Sequence, residues 1–247
     1  MLTDKIAIVT GGADGIGKAI VQELAQQGAK VILADRNVIL GEQVTKTFND
    51  NKLDVEFQKM DISKSIDVIN FFKIIKEKFD VFDILINNAG IYVKTGKVTE
   101  TSELEWNLSI QTNLTGTFLC CKYGIPLMEQ KGGSIVNISS GSGIKGSYNA
   151  AAYGVTKAGI IHLTKTASLE FANKNIRVNC VVPGLIDTQQ SRGSTGSAEA
   201  FKKWEAGIPM QRAGKTNEIA PLVTFLCTNG ASYITGSEFQ INGGSLA

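Results

Sequence analysis

The chain is poor in the residues that hold metal ions and disulfide frameworks together. Its one histidine, His162, cannot assemble a metal site or a Ser-His-Asp triad alone, and reads as a packed or partly exposed helix residue. No metal is expected. The four cysteines, Cys120, Cys121, Cys180 and Cys227, show no Cys-x-x-Cys spacing and lie inside apparent helices or strands, as the buried small hydrophobes of a reducing compartment do. No run of about 18 apolar residues occurs anywhere, which argues against a spanning helix. The opening Met1-Leu2-Thr3-Asp4-Lys5 is not a basic leader running into a long apolar core, so a cytoplasmic protein off the membrane is the expectation. A charge of one sign is also missing: 25 basic against 23 acidic residues leave +2. The densest basic cluster, Lys73, Lys76 and Lys78, is interleaved with Glu77 and Asp80 and has no aromatic platform, so nucleic acid is not an expected partner.

What is present is enough for one domain. The 247 residues are 43% hydrophobic, which suffices for a substantial core without a second unit, and no linker or internal repeat interrupts them. Strand-like runs fall at 5–10, 29–35, 55–59, 83–86, 134–138, 176–181 and 238–241. Helix-length segments follow at about 16–27, 38–49, 65–79, 102–130, 150–173 and 216–228. This alternation predicts an α/β fold: a single-domain, doubly wound parallel sheet of seven strands with helices on both faces, spanning 1–247. In such a sheet ligands bind beyond the carboxyl ends of the strands. The residues found there are Asp61, Asn87-Asn88-Ala89-Gly90, Ser139-Ser140 and Pro183-Gly184.

The first strand runs directly into Gly11-Gly12-Ala13-Asp14-Gly15-Ile16-Gly17, and Ile16, Ala19, Ile20, Leu24 and Ala25 then recur at helical spacing. Strand, glycine-rich turn, helix and strand make a unit whose glycines admit a pyrophosphate at the positive end of the new helix. Asp35 ends the second strand, where a carboxylate can bond both hydroxyls of an adenosine ribose. A 2'-phosphate there would meet Asp35 and, in the turn, Asp14. NAD is therefore favoured over NADP. Arg36 keeps NADP possible, since its guanidinium can swing over to a phosphate; otherwise it is a solvent-facing arginine at a strand end.

Tyr153 and Lys157 stand four residues apart, on one face of a helix. A free tyrosine, with a pKa of about 10, stays protonated at neutral pH, whereas a fixed ammonium beside it favours the phenolate. The expectation is that Lys157 lowers the Tyr153 pKa. With a nicotinamide nearby, Tyr153 can then take the proton of an alcohol while Ser140 bonds the same oxygen. No partner base is evident that would make the serine a nucleophile.

Thr10 to Gly17, Asn87-Asn88-Ala89-Gly90, Asn113, Ser140, Tyr153, Lys157, Pro183-Gly184-Leu185-Ile186-Asp187-Thr188 and Ile241-Asn242-Gly243-Gly244 together resemble the short-chain dehydrogenase/reductase family, in order and over nearly the whole chain. The resemblance implies Ser140 as the catalytic serine with Ser139 its neighbour, Tyr153 as general acid/base, Lys157 as its pKa modifier and ribose ligand, and Asn113 as holder of a proton-relay water. It carries Asp61 and Ile62 to the adenine, Asn88, Ala89 and Gly90 to the adenosine ribose, and Ile186 and Thr188 to the carboxamide. It also implies a homotetramer built on the outer faces of the helices near 102–130 and 150–173 and on the last strand. Thr156 and Asn242 depart from the pattern, where serine and aspartate are frequent.

Local readings stand beside these. Asp61 can cap the helix starting near Ser65, Asn87 to Gly90 can be an ordinary turn, Ser140 can cap a turn, and Asn113 can bond a helix kink. The polar, glycine-rich segment 189–214 is expected to be a mobile lid over a small alcohol or ketone, with Trp204, Tyr148, Ile144, Tyr92 and Val93 as pocket walls. Trp204 can equally anchor a lid helix to the core. Besides an NAD-dependent alcohol dehydrogenase, an NADPH-dependent 3-oxoacyl carrier-protein reductase and a non-catalytic dinucleotide sensor remain open.

Overall fold

The central strands carry Val, Ile and Leu at consecutive positions because both faces of the sheet are covered. The computed structural model describes residues 1–247 and places seven strands: β1 (Ile6–Thr10), β2 (Lys30–Asp35), β3 (Val55–Lys59), β4 (Ile84–Asn87), β5 (Gly133–Ile138), β6 (Ile176–Pro183) and β7 (Glu238–Ile241). All pair in parallel, in the order β3-β2-β1-β4-β5-β6-β7. The expected single-domain Rossmann-type sheet is observed.

Period-two alternation sorts the core into two layers. Ala7, Val9, Val31, Leu33, Ile84 and Ile86 point to one side, against α1 (Gly15–Gln26), α2 (Val38–Asp50) and α9 (Thr216–Cys227). Ile8, Ile32 and Leu85 point to the other, against α3 (Ser65–Phe79), α5 (Gly116–Gly124) and α6 (Ala151–Phe171). Each fully buried Leu, Ile or Phe contributes about 1.5–3 kcal/mol of transfer free energy. The order of strands reverses between β1 and β4, and a crevice opens there at their carboxyl ends.

One expectation from the sequence needs correction. The segment 102–130 is not one helix. It consists of α4 (Glu103–Ser109), a π-helical turn at Ile110–Thr115, α5 and a 3-10 turn at Ile125–Leu127. Asn113 sits within the π turn, fully buried, and its amide is drawn to Ile91 and Thr156, a demand that a regular helical pattern does not reveal. The segment 189–214, expected to be a lid, folds into α7 (Gln189–Thr195) and α8 (Ala198–Ala206). Thr188 and Ser197 cap these helices, each side chain accepting from a backbone N–H of the first turn.

The outer faces of α4, α5 and α6 leave Leu104, Leu108, Phe118, Val155 and Leu169 exposed, Leu104 by 78% and Leu169 by 84%. No helix is long and apolar enough to cross a membrane.

Candidate active site

The turn from β1 into α1 is shaped by glycine where nothing else fits. Gly11 and Gly15 have φ of +64° and +53°, in the left-handed region that glycine adopts without penalty. A Cβ on Gly11 would stand 2.8 Å from the Ala89 Cα, and one on Gly17 would stand 2.0 Å from the Gly11 carbonyl oxygen. Gly11, Asp14, Gly15 and Ile16 line the main cavity, but Gly17 does not. Expected to touch a cofactor, Gly17 is instead buried behind the turn and lets α1 pack against it. Gly17→Ala is therefore expected to cost about 1–3 kcal/mol through overpacking, read as a drop of several degrees in Tm.

Asn88 welds the end of β4 to this turn: its Nδ2 donates to the Thr10 and Gly11 carbonyls, each at 3.1 Å. The Thr10 hydroxyl accepts from the Asn88 and Ala89 backbone N–H groups at 3.1 and 3.0 Å. Asp35 lies at the far end of the cavity, its carboxylate accepting from Ala13 N–H at 3.2 Å and Asn37 N–H at 2.9 Å. Each oxygen keeps a further lone pair for a ligand. Arg36 lines the same end and is exposed. Asp61 accepts from Ser63 N–H at 3.1 Å and its hydroxyl at 2.7 Å, so it stabilises its own turn, while Lys64 takes the helix-cap position. Asp61, Ile62, Asn88, Ala89 and Gly90 also line the cavity. Leu40 and Met60 join them, two apolar walls that no sequence signal marks.

At the other end, α6 brings Tyr153 and Lys157 to the cavity floor, and the turn after β5 brings Ser140. Lys157 is 4% exposed, its Nζ donating to the Ile138 carbonyl at 2.9 Å and lying 5.6 Å from the centre of the Tyr153 ring. The Ser139 hydroxyl donates to the Lys157 carbonyl at 2.8 Å and steadies the helix. Ser140 accepts from Ser142 N–H at 3.2 Å, so it does cap its turn, with its hydroxyl still at the cavity surface. Asn113 accepts from Ile91 N–H at 2.8 Å and donates to Ile91 O at 2.9 Å and Thr156 Oγ1 at 3.3 Å. Both amide hydrogens are thus used in bracing the loop after β4 against α6.

The electrostatics depart from the expectation. Burial pushes the Tyr153 phenol above its ordinary 10, and only the Ser140 hydroxyl works against that. Lys157 itself is pushed down from 10.5 to about 8 by burial. A spacing of four residues brings the two together, but it says nothing of the desolvation that the site imposes on both.

Pro183, Gly184, Ile186 and Thr188 complete the wall between the two ends, and Ser191 fastens α7 to it by donating to the Ile186 carbonyl at 2.6 Å. Of the expected pocket walls, Tyr92, Tyr148 and Trp204 line the cavity, whereas Ile144 and Val93 do not. Tyr92 meets the Tyr153 ring edge-on, with centroids 5.1 Å apart at 65°. The cavity of about 980 Å³ is at the upper end of the ~300–1,000 Å³ typical of ligand pockets.

A family model described as enoyl-(acyl carrier protein) reductase matches residues 11–245. Human dehydrogenase/reductase SDR family member 4 is 34% identical over 99% of this chain and 88% of its own length. The chain belongs to the short-chain dehydrogenase/reductase family. As a member it is an oxidoreductase of a family that uses NAD or NADP. Among its relatives, the 3-oxoacyl-[acyl-carrier-protein] reductase of Chlamydia trachomatis serovar D is 38% identical, over 99% of this chain and 98% of that one. The crystal structure of an NAD+-bound xylitol dehydrogenase superposes with a TM-score of 0.93 at 31% identity, covering 98% of this chain and 99% of that one.

In this short-chain dehydrogenase/reductase the buried ammonium of Lys157 carries a stability cost with a definite pH dependence. The unfolded chain holds that proton to about 10.5 and the folded one only to about 8. The cost is therefore complete below pH 8 and fades as pH rises from 8 to 10.5. Lys157→Met is expected to raise Tm at pH 7, with the gain shrinking across that window, while activity is lost. Thermal melts of both proteins from pH 6.5 to 10.5 check it; a Lys157→Met protein that is less stable throughout contradicts it.

Proposed function

We propose that the chain is an NAD(H)-dependent oxidoreductase interconverting a secondary alcohol and a ketone. The observation that carries this reading is that Ser140, Tyr153 and Lys157 converge at one end of a single cavity whose other end holds Asp35. The cleft fits a dinucleotide: glycine backbone stands where a side chain would fill it, the N-terminus of α1 opens on it, and an unpaired carboxylate terminates it. Gly11, Asp14, Gly15 and Ile16 would hold the pyrophosphate side. Asp35 would take the adenosine ribose, Asp61, Ile62, Asn88, Ala89 and Gly90 would frame adenosine, and Pro183, Gly184, Ile186 and Thr188 would frame nicotinamide. When bound, the coenzyme supplies or accepts the hydride.

The protein's own part is the proton. Tyr153 takes it from the alcohol oxygen, or returns it to the ketone oxygen, while Ser140 donates a hydrogen bond to the oxyanion form. Lys157 bonds the nicotinamide ribose and offers the only buried cation near the phenol. Asn113 holds Ile91 and α6 in register and with them the geometry of Tyr153. The segment 189–214, with α7 and α8, serves as the cover.

NAD is preferred because Asp35 and Asp14 oppose a 2'-phosphate and Arg36 alone can compensate. The NAD+-bound xylitol dehydrogenase is the relative in keeping with this reading. A second reading, an NADPH-dependent 3-oxoacyl carrier-protein reductase, has the Chlamydia relative in its favour. A sensor without chemistry would have no use for the Ser140, Tyr153 and Lys157 set. The apolar outer faces of α4, α5 and α6 support a homotetramer, whose light-scattering mass would be a fourfold multiple of 26.5 kDa. The chemical reading is tested by following nicotinamide absorbance with a panel of secondary alcohols and ketones against NAD(H) and NADP(H). Turnover confined to NADPH and 3-oxoacyl thioesters would replace the first reading with the second.

A further inference from the structure

The titratable groups around the cavity are not evenly spread. Asp14, Asp35 and Asp61 all lie at its nucleotide end, together with Arg36. At the end that holds Ser140 and Tyr153 no carboxylate lines the wall, and the groups that titrate there are Tyr92, Lys145, Tyr148, Tyr153 and Lys157. The nearest acid on the neighbouring segment, Asp187, is outside the lining and is taken by Arg192 in a two-pronged pair at 2.6 and 2.7 Å. Lys157 is spoken for by the Ile138 carbonyl. That leaves Lys145, which is exposed and engages in no ion pair.

Lys145 is carried by the same turn as Ser140. The Gly143 N–H donates to the Ser140 carbonyl at 2.8 Å, and the Lys145 N–H donates to the Gly141 carbonyl at 2.9 Å. The two residues are therefore about one and a half helical turns apart on a hydrogen-bonded frame, and both line the cavity. Ser142 and Ser147 lie between and beside them, joined hydroxyl to hydroxyl at 3.0 Å, and Gln189 and Gln190 face from α7. The substrate end thus offers hydroxyls, amides and one unpaired ammonium, with no negative charge to oppose an anion.

Resting on the oxidoreductase reading above, we infer that the substrate is a hydroxy acid, or the matching oxo acid, whose carboxylate is held by Lys145 while its carbinol carbon lies at Ser140 and Tyr153. A single ammonium matches the single charge of a carboxylate, whereas it leaves part of a phosphate dianion's charge unbalanced and no arginine lines this end. In the oxidation the carbinol C–H bond breaks with its electron pair leaving for the nicotinamide, the O–H proton passes to Tyr153 and a C=O bond forms. The carboxylate is unchanged. It sets which alcohol is presented, so Lys145 is a specificity residue. The acyl chain of a 3-oxoacyl thioester has no carboxylate to offer Lys145.

The test is a matched panel of short straight-chain and cyclic oxo acids, their methyl esters and phosphate-bearing hydroxy ketones, reduced with NADH and with NADPH at low and high salt. The acids are expected to exceed their esters in kcat/KM by about ten- to hundredfold, as a charge-assisted hydrogen bond allows, mainly through KM. Salt should narrow the gap. Lys145→Met should bring the acid-to-ester ratio near one, and Lys145→Arg should restore much of it. Because Lys145 is exposed, Lys145→Met is expected to fold, which its melting temperature verifies. Esters reduced as well as acids, or a ratio unmoved by Lys145→Met, would overturn the inference and leave the dehydrogenase reading standing. A preference for the phosphate compounds would overturn the carboxylate assignment. No turnover of any member with either coenzyme would overturn this inference, while turnover of neutral secondary alcohols or ketones in the broader panel would leave the oxidoreductase reading standing.

Discussion

Tyr153→Phe is expected to lower kcat about a thousandfold, within the ~10²–10⁴ that a positioned acid/base contributes, while NADH still binds within about twofold. The substitution removes one oxygen and leaves the ring, so the edge-on contact with Tyr92 at 5.1 Å and the cover over Lys157 are kept. An effect on binding as large as that on turnover would mean that the tyrosine holds the cleft together rather than moving a proton. Stopped-flow turnover and titration of NADH fluorescence separate the two. Burial raises the Tyr153 pKa, so loss of its proton must be favoured at alkaline pH. In the wild type, alcohol oxidation is accordingly expected to quicken as pH rises toward and past the ordinary 10, with ketone reduction slowing in the same direction.

The second large effect concerns the coenzyme. Asp35→Ser is expected to shift the ratio of kcat/KM for NADH over NADPH toward NADPH by about a hundredfold. Two unit charges about 4 Å apart at a protein surface oppose each other by roughly 4 kcal/mol, and a lost hydrogen bond from the ribose to a charged acceptor adds about 1.5–3 kcal/mol. Asp14 remains and Arg36 is already at hand, so the shift falls short of the sum. A serine can keep one of the two backbone bonds that Asp35 accepts, from Ala13 and Asn37, so the turn should survive. Initial rates with both coenzymes measure the ratio. If it does not move, Asp35 is a turn residue and the preference for NAD lies elsewhere.

Much of the fold was legible because it depends on periodicities that the sequence displays. Seven apolar runs became seven parallel strands, and the glycine-rich turn followed the first of them. The switch point then had to gather the residues at the strand ends, as it does with Asp61, Asn88, Ser140 and Gly184. What escaped depends on partners far away in the chain. The π turn at Ile110–Thr115 answers to Ile91 and Thr156, neither of which marks residues 110–115 as irregular. Gly17 belongs to a glycine motif yet faces Gly11 and Asn88 rather than the cavity, a distinction that depends on a 2.0 Å approach. Leu104 and Phe118 are apolar yet exposed, and apolar content alone does not say which helix positions face the core. No sequence signal marks Lys145, whose standing comes from the absence of carboxylates at its end of the cavity. The direction of the Tyr153 pKa is the clearest case, because charge proximity is visible in a sequence and desolvation is not.

The most direct measurement is the fate of deuterium in the reduced product when NADH carries it at both C4 positions. Hydride transfer to a carbonyl with proton delivery from Tyr153 predicts one deuterium on the carbinol carbon of the alcohol and none elsewhere, read by mass spectrometry and NMR. A product without label, or with its label on a carbon of a former carbon–carbon double bond, would contradict the assignment of this cavity to alcohol and ketone chemistry.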